Sequence, residues 1–84
     1  MSKLKLDLHD IYNRSSAIDH ELQRVIHEAV EKKICEVEII SGRGSGQLRK
    51  RVLRFLQRAD IKPLYHRVVK ESRNPGRLFV YFRF

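Results

Sequence analysis

Hydrophobic and polar residues alternate at the start of the chain: Leu4, Leu6 and Leu8 are separated by Lys5, Asp7 and followed by His9. A period of two marks a strand with one apolar and one polar face. After a connector from Asp10 to Ser16 the period changes. Ile18, Leu22, Val25, Ile26, Ala29 and Val30 form one stripe at helical spacing and predict a helix from Ala17 to Lys33. Ser16 is placed to cap it, with Asp19 three residues on. Asp19 and Glu21 near its start, and Lys32 and Lys33 at its end, agree with the helix dipole. The β-branched run from Cys35 to Ile40 predicts a second strand, and Ser41 to Ser45 a loop. Leu48, Val52, Phe55, Leu56 and Ala59 predict a second helix, Gly46 to Ala59, buried along those positions. A third strand is expected within Ile61–Val69, a turn at Asn74-Pro75-Gly76, and a fourth strand over Leu78–Phe84, antiparallel to the third.

The element order is therefore β-α-β-α-β-β. Both β-α-β crossovers are expected to be right-handed. If both step the same way, both helices land on one face of the sheet. The predicted architecture is an α/β (α+β) two-layer sandwich with a four-stranded mixed sheet. Leu78, Val80 and Phe82 then face the helices. Lys5, Asp7, His9, Phe79, Tyr81 and Arg83 occupy the open face. Two aromatics beside an arginine there fit stacked nucleobases, a dimer surface or plain strand propensity.

At 84 residues one domain, 1–84, with one modest core is expected. No apolar run approaches the roughly 18 residues of a membrane span, and the start lacks the apolar stretch of a signal peptide. Cys35 is the single cysteine, which excludes a disulfide framework and a Cys-rich zinc site. A reduced, cytoplasmic setting is the expectation. Charge changes the picture more. Residues 1–42 hold six basic and eight acidic side chains, and residues 43–84 hold twelve and two, so a net charge of +8 arises from −2 and +10. That polarity points to a face that meets a polyanion, DNA or RNA; a mere solubility charge is the alternative. A membrane surface fits less well, because the basic helix carries no exposed aromatic stripe.

Ser41-Gly42-Arg43-Gly44-Ser45-Gly46 joins an apolar strand to a helix. Its glycines leave backbone N–H groups uncovered, and the positive end of the second helix faces them. This is a generic anion cradle. Gln47-Leu48 after Gly46 rules out a P-loop, and Gln47 stands where a dinucleotide fingerprint needs its third glycine. Arg49, Lys50 and Arg51 crowd the first turns of that helix, where the dipole disfavours cations; bound phosphate would offset the repulsion. Lys50, Arg51, Arg54 and Arg58 form a stripe, read as a track for a phosphate backbone or as a solvated helix face.

Asp7 and His9 share a sheet face about 6.5–7 Å apart along the strand. A carboxylate near an imidazole can fix its tautomer, and imidazole transfers protons near neutral pH. The first two strands of a β-α-β unit are parallel, so both carboxyl ends lie at one edge, where open α/β sheets bind ligands. A phosphate in the loop would sit near His9. His20 and His27 are expected to face solvent and lack metalloprotease spacing, His66 is read as structural, and Cys35 as a packed thiol.

Leu6-Asp7-Leu8-His9, followed a helix later by Gly42-Arg43-Gly44-Ser45-Gly46-Gln47-Leu48-Arg49, resembles the small MutS-related (Smr) domain family. The resemblance spans nearly the whole chain. It implies a nucleic-acid endonuclease, DNA-nicking or RNA-cleaving; a non-catalytic DNA/RNA- or ribosome-binding module is the alternative. It also implies strand order 1-2-4-3, and a fold similar to the C-terminal domain of translation initiation factor three. Carried onto this chain, the expected catalytic residues are Asp7, His9 and Arg43. The expected phosphate and nucleic-acid contacts are Gly42, Arg43, Gly44, Ser45, Gly46, Arg49, Lys50, Arg51 and Arg54. Asp7 is also the candidate to hold a divalent metal, magnesium or manganese. Two positions depart from the family pattern: Ser41 stands where the loop often begins with His, and Asp10 where Gly often follows the strand. A stand-alone domain without a MutS-like ATPase is expected. Oligomeric state is not legible.

Overall fold

The computed structural model describes residues 3–8, 14–42, 46–70, 73 and 76–83. Strand β1 is Lys3–Asp7, helix α1 Ser15–Glu31, strand β2 Glu36–Ile40 and helix α2 Gln47–Leu56; strands β3, Arg67–Lys70, and β4, Arg77–Tyr81, follow a 3-10 turn at Lys62–Leu64. The sheet order is β1-β2-β4-β3. β1 and β2 are parallel, and β4 is antiparallel to both β2 and β3.

Strand alternation decides which residues reach the core. The register aligns Leu4, Val37, Val80 and Val68 in one row and Leu6, Ile39 and Leu78 in the next. These side chains, with Leu8 and Phe82, share one apolar cluster with Ile18, Leu22, Val25, Ile26 and Ala29 of α1 and Val52, Phe55 and Leu56 of α2. Both helices therefore cover the same sheet face. The opposite face carries Lys3, Lys5, Glu36, Glu38, Arg67, Phe79 and Tyr81, the partners in the alternate register rows. No helix among the described residues is long and apolar enough to cross a membrane.

Four local expectations need correction. Helix α1 begins two residues earlier than the Ser16 cap implies: Ile18 donates to the Arg14 carbonyl at 3.0 Å, and among the described residues no side chain caps the start. Lys32 and Lys33 lie beyond the helix. Lys33 takes φ 55°, and Ile34 and Lys33 donate back to Ala29 and Val30, the double bond pattern that closes a Schellman motif. Helix α2 ends at Leu56 instead of Ala59, and Ala59 is exposed. The Tyr65 hydroxyl donates to the Leu56 carbonyl at 2.8 Å, and Arg58 turns back to Asp60. The third strand is confined to Arg67–Lys70, because Pro63 sits in the 3-10 turn before it. Of the expected turn at 74–76, only Gly76 lies within the described residues.

Candidate nucleic-acid interface

Parallel pairing brings the carboxyl ends of β1 and β2 level. Asp7 is paired with Ile40, and Leu8 donates its N–H to the Ile40 carbonyl at 2.9 Å. In sequence, His9 comes directly after Leu8, and the glycine loop directly after Ile40. His9, Arg43, Gly44 and Ser45 lie outside the described residues. The described part of this rim consists of Asp7, exposed at the end of β1, Ser41 and Gly42, and Gly46 with the start of α2.

The loop leaves β2 along a tether. Gly76, the residue before β4, accepts three hydrogen bonds at its carbonyl: the N–H of Ser41 at 2.7 Å, the N–H of Gly42 at 3.2 Å and the Ser41 hydroxyl at 3.3 Å. Ser41 is buried. Gly42 takes φ 81°, which favours glycine. Its amide, assigned above to the anion cradle, is engaged with Gly76, so Gly42 contributes its left-handed turn.

Gly46 takes φ 85° and forms the N-cap of α2, with its carbonyl accepting from Lys50 N–H at 3.0 Å. Among the described residues no side chain caps this end, and its first turn holds no acidic residue. The amides of Gln47, Leu48 and Arg49 have no intrahelical acceptor, by the geometry of any helix start. The positive end of α2 thus opens toward the loop without a carboxylate from its own first turn. Arg49 is half-buried, and its Nε is buried with no hydrogen-bond partner among the described residues. That is the environment in which an anion improves the local electrostatics.

The basic stripe of α2 divides. Arg51 Nη2 pairs with Asp19 Oδ2 of α1 at 3.1 Å. Arg58 forms a two-pronged bond to Asp60, at 3.0 and 2.8 Å, and lies 5.1 Å from the Phe55 ring centroid. Lys50 and Arg54 are exposed and have no ion-pair partner among the described residues. Asp19, expected to support the start of α1, instead lies in its second turn and bridges to α2.

Sequence reading missed a second polar cluster, on the open face. Glu38 is only 4% exposed, yet it meets Lys3 at 3.2 Å and Arg77 at 2.7 Å. Lys3 also reaches Glu36 at 3.4 Å and lies 5.7 Å from the Phe79 ring centroid, while Arg67 lies 5.1 Å from that of Tyr81. The available signal was the alternation Glu36-Val37-Glu38-Ile39, which gives β2 a polar face. His20, His27 and His66 are exposed, and Cys35 is half-buried. Among the described residues, no group of three or more His, Cys, Asp or Glu side chains converges on a metal-sized site. The donor set described at the rim is therefore one carboxylate, Asp7, and does not by itself fit a divalent cation.

Comparison with known proteins bears on the same architecture. The sequence profile of the Smr domain matches residues 6–83. Among curated protein sequences none matches the chain significantly. The fold is similar to the crystal structure of the Smr domain of Thermus thermophilus MutS2, with a TM-score of 0.75 and 16% identity over 100% of both chains. With residues 6–83 matched and the mixed sheet shared, the chain belongs to the Smr domain family, a family of nuclease-like nucleic-acid-binding domains.

Proposed function

We propose that this domain is a nucleic-acid endonuclease that hydrolyses phosphodiester bonds while holding the backbone largely without reading its sequence. The observation that carries this reading is the level ending of β1 and β2, fixed by the 2.9 Å bond from Leu8 to Ile40. In sequence His9 directly follows Leu8, the residue after β1, and the glycine loop directly follows β2, and the helix start after the loop holds no acidic residue in its first turn. In this scheme the amides of Gly44, Ser45 and Gly46, with Arg43 and Arg49, hold the scissile phosphate and stabilise its growing charge. His9 moves the proton, as base or acid, and Asp7 orients it. On RNA the proton comes from the 2′-hydroxyl, whose oxygen bonds to phosphorus as the P–O5′ bond breaks, leaving a 2′,3′-cyclic phosphate and a protonated 5′-hydroxyl; on DNA, which lacks it, the proton comes from the attacking water, one ester P–O bond breaks and the leaving oxygen takes up a proton. Lys50, Arg51 and Arg54 follow the phosphate backbone.

A second reading, a binding module without turnover, is favoured by Ser41. Where the family's loop often begins with His, this chain has a buried serine tied to Gly76. Incubation of purified protein with supercoiled plasmid and with single-stranded RNA, with and without EDTA, separates the two. The endonuclease reading expects cleavage by the wild type and a loss of about a hundredfold or more in His9→Ala. Equal product from both proteins would leave only the binding module. That module expects Arg49→Ala and Lys50→Ala to weaken binding and flatten its salt dependence. The EDTA arms report whether a metal takes part.

A further inference from the structure

A groove of about 220 Å³ runs between the two helices, lined by Asp19 of α1 and by Arg51, Arg54, Phe55 and Arg58 of α2 and its C-terminal extension. Three arginines and one carboxylate therefore line it, and Arg51 is the one paired with that carboxylate. We propose that this groove is a second seat for backbone phosphate, separate from the glycine loop, and that Asp19 is its built-in competitor. The proposal rests on the nucleic-acid reading above and adds a location and a control element to it.

The arginines succeed one another at spacings of three and four, which sets them along one side of the helix. Each is in a different state. Arg58 is fixed: Asp60 takes its Nε and Nη2, and Phe55 lies beneath the guanidinium plane. A guanidinium carries five N–H donors, so Arg58 retains capacity for another acceptor. Arg54 is exposed with no ion-pair partner among the described residues. Arg51 is engaged by Asp19, but the two side chains are 37% and 47% exposed. A pair that open to solvent is weakly held. A phosphodiester presents two non-bridging oxygens on a tetrahedral phosphorus, a pair that a guanidinium can grip, and can take the place of Asp19 at Arg51 while also reaching Arg54. At 1.5 Å per residue, Arg51 and Arg54 lie roughly 7 to 12 Å along α2 from Gly46. A strand anchored at the loop thus passes this groove with a neighbouring phosphate.

The carboxylate gives the groove its sign of control. With Asp19 in place, an arriving phosphate meets a carboxylate that already holds one donor of Arg51 and repels the phosphate's charge. With the carboxylate neutralised, the Asp19–Arg51 ion pair is gone and the groove gains one unit of positive charge.

The test measures binding by fluorescence anisotropy across a salt series, using labelled single-stranded RNA and DNA of one sequence. All proteins carry His9→Ala to prevent turnover. Arg54→Ala is the main arm, because an exposed side chain without partners can be removed without disturbing the fold. Lys32→Ala is the control, an equal loss of charge just past the C-terminal end of α1, about 20 Å along the helix axis from Asp19. Arg54→Ala is expected to weaken binding about fivefold and to reduce the salt slope by about 0.7–0.9, while Lys32→Ala leaves the slope unchanged. Asp19→Asn is expected to tighten binding about two- to fivefold at low salt. Loss in both nucleic acids identifies the phosphodiester as the ligand, and loss in one identifies that strand type. Equal slopes for Arg54→Ala and Lys32→Ala, or no tightening in a folded Asp19→Asn, would overturn the groove while leaving nucleic-acid binding intact. Failure of the parent protein to bind either strand would overturn the functional reading as well.

Discussion

Arg77 Nη1 on β4 lies 2.7 Å from Glu38 Oε2 on β2, beneath which the sheet is closed to solvent. Burial alone pushes the Glu38 carboxyl up. The hydrogen bond and charge of Lys3, then the charges of Arg77 and Lys5, more than offset it and leave the group below its ordinary 4.5. A lowered folded-state value means that the unfolded chain binds the proton more readily. The stabilisation is present above the unfolded value and is lost as pH falls through the folded one. Urea unfolding should therefore show wild-type stability declining below about pH 4.5, with a shallower decline in Glu38→Gln. At neutral pH Glu38→Gln should cost about 1–2 kcal/mol, less than the loss of a fully buried pair because Lys3 and Arg77 reach solvent. Identical acid limbs would remove Glu38 from the account.

Tyr65 closes the other end of the molecule's second helix. Its hydroxyl donates to the Leu56 carbonyl at 2.8 Å, meeting an acceptor at the helix end that no intrahelical N–H can reach. Tyr65→Phe should cost about 1–2 kcal/mol. Burial raises the phenol above its ordinary 10.0. For an acid raised in the fold, stability is complete below the unfolded value and is lost as pH climbs through the folded one. Thermal unfolding above about pH 10 should thus penalise wild type more than Tyr65→Phe. A variant as stable as wild type at neutral pH would show that the bond carries nothing.

Much of this architecture is legible in the alternation of side chains. Leu78, Val80 and Phe82 are buried while Phe79 and Tyr81 are half-exposed and Arg83 is exposed, as a period of two requires. The helix stripe of α1 is buried from Ile18 to Ala29 for the same kind of reason. What periodicity does not encode is who sits opposite. Glu38 looks like an ordinary polar strand residue until the order β1-β2-β4 sets Lys3 and Arg77 on either side of it. The end of α2 depends on Tyr65, nine residues beyond Leu56, and Ala59 gives no local sign of it. At the rim, the Gly42 amide is taken by the Gly76 carbonyl, an acceptor 34 residues away that no local pattern reveals. The motif residues His9 and Arg43 lie outside the described residues, so their roles stand on the sequence pattern.

Helix α1 ends on a residue poorly suited to its conformation. Lys33 adopts φ 55° in the Schellman position, where glycine has no side-chain penalty. Ile34 follows, buried, and donates to Ala29 at 2.8 Å, so the turn cannot relax without withdrawing an apolar side chain from the core. Lys33→Gly should raise stability by about 0.5–1 kcal/mol, the left-handed penalty less the extra entropy of glycine in the unfolded chain. Equilibrium urea unfolding resolves a change of that size. A fall in stability would mean that the Lys33 side chain's own contacts outweigh its backbone strain.

Ser41 separates structure from chemistry at the loop. Its hydroxyl is the third and longest donor to the Gly76 carbonyl, behind two backbone amides that remain when the side chain is removed. Ser41→Ala should therefore cost only about 0.5–1 kcal/mol. Because the side chain is buried and turned toward Gly76, cleavage and binding should be unchanged at saturating substrate. Ser41→His, which restores the residue frequent in the family, should behave differently. An imidazole overfills a site built for a hydroxyl and should cost about 1–3 kcal/mol, or drive the loop off Gly76. Parallel measurements of thermal stability and of plasmid and RNA cleavage distinguish the two effects. If Ser41→Ala keeps its stability but loses cleavage tenfold, the hydroxyl belongs to the reacting groups and the tether to Gly76 is incidental.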